Sequence, residues 1–353
     1  MKFFIKILLI LSLFEFWASA HANDHINTVA DFAHIIDFES NRVLMSKNAD
    51  SPMKPASMAK IMTLYIVFSR IAEGSLTLED EFLVSEKAWK MGGSRSFLDV
   101  GTRVSVEELI NGIAVQSGND AAVVIAEGIA GSEEAFADEM NSFARQLGMD
   151  DTNFTNSTGW PDEMLTTTAR DLSLLAAAII RDFPIDKFPN LYPVFAKPHH
   201  TYNNIKQPNR NPLIDRSPGA DGLKTGSTKE SGYGLVGSAE RNGQRIIIVL
   251  NGLESKKQRS MESNRLMDFM FREYKKYNFF KAGETVKIAN VWLGKQPTIS
   301  LVLEEDLARV LARNERNNTK LTVNYNNPIQ APIAAGEEVG TLWFEVNGVR
   351  EEI

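Results

Sequence analysis

SMAKIMTLYIVFSRIA, residues 57–72, is apolar around nearly its whole circumference when read as a helix. A helix with no polar face has to lie inside a domain large enough to cover it on every side. The chain has that capacity. Its 353 residues are 43% hydrophobic and 24% charged, enough for one large domain and a smaller one, and unlike a disordered or collagenous chain. Outward from the buried helix, Ser105-Val-Glu-Glu108 reads as a capping-box helix start. Ala-rich runs at 120–130 and 172–181 read as further helices, the second entered through Thr167-Thr168. Ser132-Glu133-Glu134 opens another, closed by Gly148. Strands are expected at 233–239 and 245–250, joined through Arg241-Asn242-Gly243, whose Asn-Gly step favours a tight hairpin. A last amphipathic helix is expected near 261–276.

After the aromatic and basic stretch Tyr274 to Lys281, the apolar period drops to two. Segments starting at Thr285, Thr298, Lys320 and Leu342 alternate apolar and polar residues, with Gly, Asn and Pro between them. They describe a small all-β module over 282–353, following a helix-and-sheet domain over 23–281. At the other end, Lys2 and Lys6 precede a short apolar run and then Ala18-Ser-Ala-His-Ala22, the pattern of a cleaved signal peptide over residues 1–22. The run is too short, and interrupted by Glu15, to be a membrane span.

Two Ser-x-x-Lys pairs flank the start of the buried helix. Pro52 and Pro55 keep Ser51 and Lys54 from sharing a helical face, because a residue before proline avoids the helical region. Ser57 and Lys60 begin the apolar helix, where positions three apart are neighbours. Burial and the positive helix end both disfavour an ammonium, so the Lys60 amine is suited to act as a base toward the Ser57 hydroxyl. An ordinary N-cap and a snorkelling lysine would leave the same pair. Ser117-Gly118-Asn119 lies between two helices, where turn and cap chemistry is the plain alternative. Lys224-Thr225-Gly226 follows an Asp221-Gly222 turn and otherwise reads as a strand end, its glycine allowing another backbone to approach.

Taken together, in this order and separated by 60 and 107 residues, the three motifs resemble the active-site-serine penicillin-binding protein and β-lactamase superfamily. The flanking Leu109-Ile-Asn-Gly112, Gln116-Ser-Gly-Asn-Asp-Ala121, Leu147-Gly-Met149 and Asp221-Gly-Leu-Lys-Thr-Gly226 make the chain look like a low-molecular-mass penicillin-binding protein, of the serine-type D-alanyl-D-alanine carboxypeptidases (peptidase family S11). The likeness covers nearly the whole mature chain. It implies an α/β (α+β) catalytic domain of β-lactamase/transpeptidase type, an antiparallel sheet packed with helices, plus the β-rich C-terminal domain. It also implies that Ser57 attacks the carbonyl between two D-alanines of a peptidoglycan stem peptide while Lys60 takes its proton. Ser117 and Lys224 would relay a proton to the leaving amine, and Asn119 would hold substrate and Lys60. Thr225, Gly226 and the Ser227 backbone would line the substrate strand. Arg259, read as lying ahead of the last helix, would grip the terminal carboxylate, and β-lactams would acylate Ser57. Ser227 departs from the His common at that position, which puts deacylation rate and substrate range in question.

The same resemblance sets the address at the periplasm, with the outer face of the cytoplasmic membrane left open. Relatives often continue into an amphipathic membrane-surface helix, and nothing before Ile353 has that character, so peripheral membrane association stays unassigned. With 45 acidic against 38 basic side chains, the net charge of −7 repels phosphate backbones, so no nucleic-acid partner is expected. Without cysteine, thiol catalysis and Cys-ligated zinc are excluded. No metal or cofactor is expected. His199 and His200 read as solvated loop residues, and no Gly-rich phosphate loop follows a strand. Among competing readings, Glu163-Met-Leu-Thr-Thr167 lacks the Asn of a class A β-lactamase. A D,D-endopeptidase would use the same machinery, and a non-catalytic wall-binding protein would not need Ser57, Lys60 and Lys224.

Overall fold

The computed structural model describes residues 26–353, so the signal-peptide expectation for 1–22 lies outside the described residues. At its centre is a five-stranded antiparallel sheet. Its strands are β1 (Phe32–Asp37), β2 (Val43–Lys47), β3 (Ala220–Thr228), β4 (Gly232–Arg241) and β5 (Gln244–Leu253), in the spatial order β2-β1-β5-β4-β3. The β4–β5 hairpin turns at Asn242 and Gly243, both with positive φ (53° and 73°), the geometry its Asn-Gly step demands.

Both sheet faces are covered, which explains why β5 reads as an unbroken apolar run instead of an alternating one. Ile246, Ile248 and Leu250 face α6 (Lys256–Glu273) through its Leu266, Met267 and Met270. Ile247 and Val249 face the opposite core, with α1 (Lys60–Ala72) at its centre. Residues 61–68 of α1 are all buried, and Phe68 meets Phe183 and Phe195 edge-on at 5.5 and 6.2 Å. Around α1 stand α2 (Val106–Gln116), α3 (Asn119–Ala130), α4 (Glu133–Gln146) and α5 (Ala169–Asp182). Ser105, Ser132 and Thr168 cap α2, α4 and α5 as the sequence implies, each accepting a backbone N–H bond three residues on.

Three expectations need correction. The last helix starts at Lys256, because Ser255 caps it through the Gln258 N–H at 3.1 Å, and it stops at Glu273. Tyr274–Phe280 is a strand paired with Leu307–Ala312; Tyr274, Val310 and Ala312 share a core with α6. His199 and His200 open a short strand, with His200 Nε2 at ion-pair distance (3.0 Å) from Glu108, not a loop.

Beyond Tyr274–Phe280 the chain forms further antiparallel pairs, Thr285–Trp292 with Thr298–Val302 and Thr319–Tyr325 with Gly340–Val346. Leu307, Leu311, Leu342 and Phe344 form their small core. One short helix, Arg313–Asn317, interrupts the expected all-β character. It caps back through Glu315, which also pairs with Arg42 of the catalytic part at 2.6 Å.

Candidate active site

Ser57 does not lie in α1 itself. It sits on a 3₁₀ turn, Ala56–Ala59, and Lys60 is the first residue of α1. The 3₁₀ turn brings the pair closer than an α-helix would, since residues three apart eclipse in it. Ala56, just before the nucleophile, has a φ of +47°, a left-handed conformation rare for a residue with a Cβ. The strain is held by tight packing. A Cβ added at Gly159, whose own φ is +74°, would lie 1.8 Å from the Ala56 carbonyl oxygen, and one at Gly226 would lie 2.8 Å from that of Pro55. Glycine at those positions is what lets the 157–160 loop and β3 abut the turn.

Lys60 is fully buried. Its Nζ lies 3.1 Å from Ser57 Oγ and donates to Asn119 Oδ1 at 2.7 Å and to the Thr158 carbonyl at 2.6 Å. No carboxylate touches it. Burial, and next the charge of Arg210, bring its pKa from 10.5 down to about 7, against the weaker pull of Asp120 and Glu133. The amine is thus poised to carry or release a proton near neutrality.

Ser117 ends α2 in the left-handed conformation (φ 66°), which turns its side chain into the buried interior. Its Oγ is buried and makes no hydrogen bond within the protein. Asn119, the first residue of α3, donates through Nδ2 to the Gly92 carbonyl at 2.7 Å and so presents its oxygen to Lys60.

Lys224 comes from β3, the exposed edge of the sheet. It is 2% exposed, and its Nζ donates only to the Thr225 carbonyl, at 3.2 Å. Its pKa is pushed well below the usual lysine value, first by burial, then by the charges of Lys60, Arg210 and Arg259. Lys224 therefore senses the charge of Lys60, a lysine from a distant part of the chain, in one buried region. Gly226 and Ser227 follow on the same edge strand, with the Ser227 side chain exposed. An edge strand offers unpaired N–H and C=O groups to an extended peptide.

Arg259 lies inside α6, near its N-terminus, and not ahead of it. It is buried under the strands, where Nη1 donates to the carbonyls of Gly226 (3.4 Å) and Gly234 (3.3 Å); Nε has no partner. Burial lowers its pKa to about 10. Several contributors escaped the sequence reading. Arg210, in Pro208-Asn-Arg-Asn-Pro212, adds its charge to Lys60, Lys224 and Arg259. Asp120 accepts N–H bonds from Ser96 and Leu98 and so fixes the loop that carries Gly92. Glu133 accepts from Ser157 Oγ at 2.8 Å, beside the Thr158 carbonyl that receives Lys60. A carboxylate just inside a helix start signals Asp120 and Glu133; nothing local signals Arg210.

Among the described residues, no group of three His, Cys, Asp or Glu side chains could hold a metal ion, and no helix is long and apolar enough to cross a membrane. A serine beside a fully buried lysine, with a second serine and a second lysine, is the arrangement of a serine acyl-transfer enzyme. The family model described as D-alanyl-D-alanine carboxypeptidase matches residues 18–255. The chain belongs to the D-alanyl-D-alanine carboxypeptidase family. A second model, the C-terminal domain of penicillin-binding protein 5, matches residues 274–350. Among carboxypeptidase relatives, DacF of Bacillus subtilis is 35% identical, the match covering 99% of this chain and 91% of that protein. The crystal structure of DacD from Francisella tularensis superposes with a TM-score of 0.79 at 30% identity, covering 93% of this chain and 92% of the other. Penicillin-binding protein 5 from Haemophilus influenzae gives a TM-score of 0.75 at 33% identity, covering 93% and 95%. The family and the fold of β-lactamase/transpeptidase type stand as the motifs implied, and the chain is a serine-type D-alanyl-D-alanine carboxypeptidase.

Proposed function

We propose that Ser57 is the nucleophile that removes the terminal D-alanine from peptidoglycan pentapeptide stems, with Lys60 as its base. The observation that carries this reading is the 3.1 Å approach of Lys60 Nζ to Ser57 Oγ, at an amine whose pKa burial has brought to about 7. The substrate peptide lies extended along β3. Its scissile oxygen sits between the backbone N–H groups of Ser57 and Ser227. Lys60 accepts the hydroxyl proton as the Ser57 oxygen bonds to the carbonyl carbon. Ser117 and Lys224 deliver a proton to the departing amine, Asn119 holds the substrate backbone and Lys60, and Thr225 with Lys224 and Arg259 favours the free carboxylate. Water then hydrolyses the ester and frees the tetrapeptide and Ser57.

A β-lactam presents a strained amide to the same serine and leaves it acylated. Residues 23–281 carry the chemistry, and the β-rich remainder, from 282 on, is a separate module to which the pairing of Tyr274–Phe280 adds one strand. The substrate places the mature enzyme in the periplasm. Fluorescent-penicillin labelling tests the nucleophile: the wild-type protein is labelled and Ser57→Ala is not, whereas equal labelling removes the assignment. Incubation with a pentapeptide and with a cross-linked dimer, followed by product analysis, is expected to release D-alanine from the first. Cleavage of the dimer alone would make the enzyme an endopeptidase.

A further inference from the structure

We infer that a positively charged belt at the junction of the two modules, outside the catalytic cleft, holds the enzyme on its polymer by gripping the carboxylates of neighbouring peptidoglycan stems. The inference rests on the carboxypeptidase reading, because that reaction leaves every stem it trims with a free terminal carboxylate. Arg259 and Glu273 are 14 residues apart along α6, about 21 Å of helix, so the belt at the far end of α6 would meet a different stem from the one at Ser57.

On a chain with a net charge of −7, a local excess of cations runs against the average. Two hollows make up the belt. One, of about 350 Å³, is lined by Arg241, Arg272, Lys275 and Lys276 with Asp268. The other, of about 620 Å³, has Phe269, Glu273 and Tyr277 facing Arg313 and Arg316 of the C-terminal module, two arginines that share one face of their short helix. Arg272 stands between the hollows, its guanidinium 5.5 Å from the centre of the Phe269 ring. Arg272, Lys275, Lys276, Arg313 and Arg316 are all exposed, and none forms an ion pair among the described residues. The carboxylates nearby are spent, Asp268 on Arg241 at 2.8 Å and Glu315 on Arg42 at 2.6 Å, which leaves Glu273 against five cations. The walls are also set before any ligand arrives. Arg241 lies 4.4 Å from the Phe271 ring centre and donates to Ser217 Oγ and the Pro218 carbonyl; Arg316 lies 5.3 and 5.2 Å from the ring centres of Tyr277 and Phe279. A guanidinium stacked on a ring keeps its N–H edge free for a carboxylate. The lining presents no exposed large apolar side chain that could enter a bilayer, so discrete anions on a soluble polymer suit it better than a lipid surface.

The test is co-sedimentation with purified peptidoglycan sacculi, using protein first acylated by penicillin so that the catalytic cleft is blocked. Wild-type protein is compared with the triple variant Lys275→Gln/Lys276→Gln/Arg313→Gln, whose changes are all at exposed positions. The wild type is expected to pellet with sacculi, less so as salt rises from about 50 to about 500 mM, and to lose most of that binding on sacculi whose carboxylates have been amidated. The variant should bind sacculi roughly tenfold more weakly while releasing D-alanine from a soluble acetylated tripeptide at the wild-type rate. Equal pelleting of the variant, undiminished binding to amidated sacculi, or a wild type that stays in solution overturns the belt. Tighter, variant-sensitive binding to phosphatidylglycerol vesicles than to sacculi overturns it too, by giving the belt to lipid. These outcomes leave the carboxypeptidase reading intact. Sacculus binding without D-alanine release from any peptide overturns that reading instead.

Discussion

The pH dependence of acylation is the sharpest consequence of the site. An ordinary lysine with a pKa of 10.5 is uncharged in only about one molecule in 3,000 at pH 7. Lys60, brought to about 7, is uncharged in about half. The second-order rate of labelling by a fluorescent penicillin should therefore rise from about a tenth of its maximum at pH 6 to about nine-tenths at pH 8. Lys224 is lowered too, and the two lysines interact, so the rising limb belongs to the pair. Arg210 supplies the leverage. Its charge lowers both lysines, so Arg210→Gln should move the midpoint to higher pH and slow labelling below the midpoint more than above it. A profile that is flat from pH 5.5 to 9, or a midpoint above 9, would refute the idea that an uncharged buried amine activates Ser57. The same shift has a thermodynamic sign. Between about pH 7 and 10.5 the unfolded chain holds a proton at Lys60 that the folded one lacks, so this group's contribution to stability rises with pH across that window. Below pH 7 its penalty is complete, on the order of 5 kcal/mol for the full displacement.

Three further outcomes are expected. Arg259→Ala should lower kcat/KM about 10- to 100-fold on a peptide with a free terminal carboxylate and much less on its amide, with Arg259→Lys intermediate; equal losses on both peptides would reduce Arg259 to a strut under Gly226 and Gly234. Gly159→Ala places a methyl 1.8 Å from the Ala56 oxygen at a positive φ, and should cost at least about 2 kcal/mol by chemical denaturation and slow acylation at Ser57. Unchanged stability and labelling would show that the turn is not held by that contact. Asp120→Ala leaves the Ser96 and Leu98 N–H groups without their acceptor, costing about 3 kcal/mol, and should slow acylation by loosening Gly92 and hence Asn119; a fully active, equally stable variant would break that chain of support.

The amino-acid order by itself determined which groups take part and most of the elements that carry them. Capping side chains at Ser105, Ser132 and Thr168, the Asn-Gly hairpin and the all-round apolar run of α1 are local signals, because each depends on residues within one or two turns. Ser57 and Lys60 were legible for that reason, and the order of the three motifs supplied the family. Where local signals compete, a cap or a distant partner decides the element. Ser255 started α6 five residues before the apolar stripe implied, and Tyr274 joined a strand because its partner lies near Ala312, far along the chain. Tertiary structure alone decided what makes the lysines reactive. Desolvation is a property of everything packed around an atom, and the charge of Arg210 acts on both Lys60 and Lys224, with Lys60 and Arg259 acting on Lys224 as well, residues whose proximity no spacing in the sequence encodes.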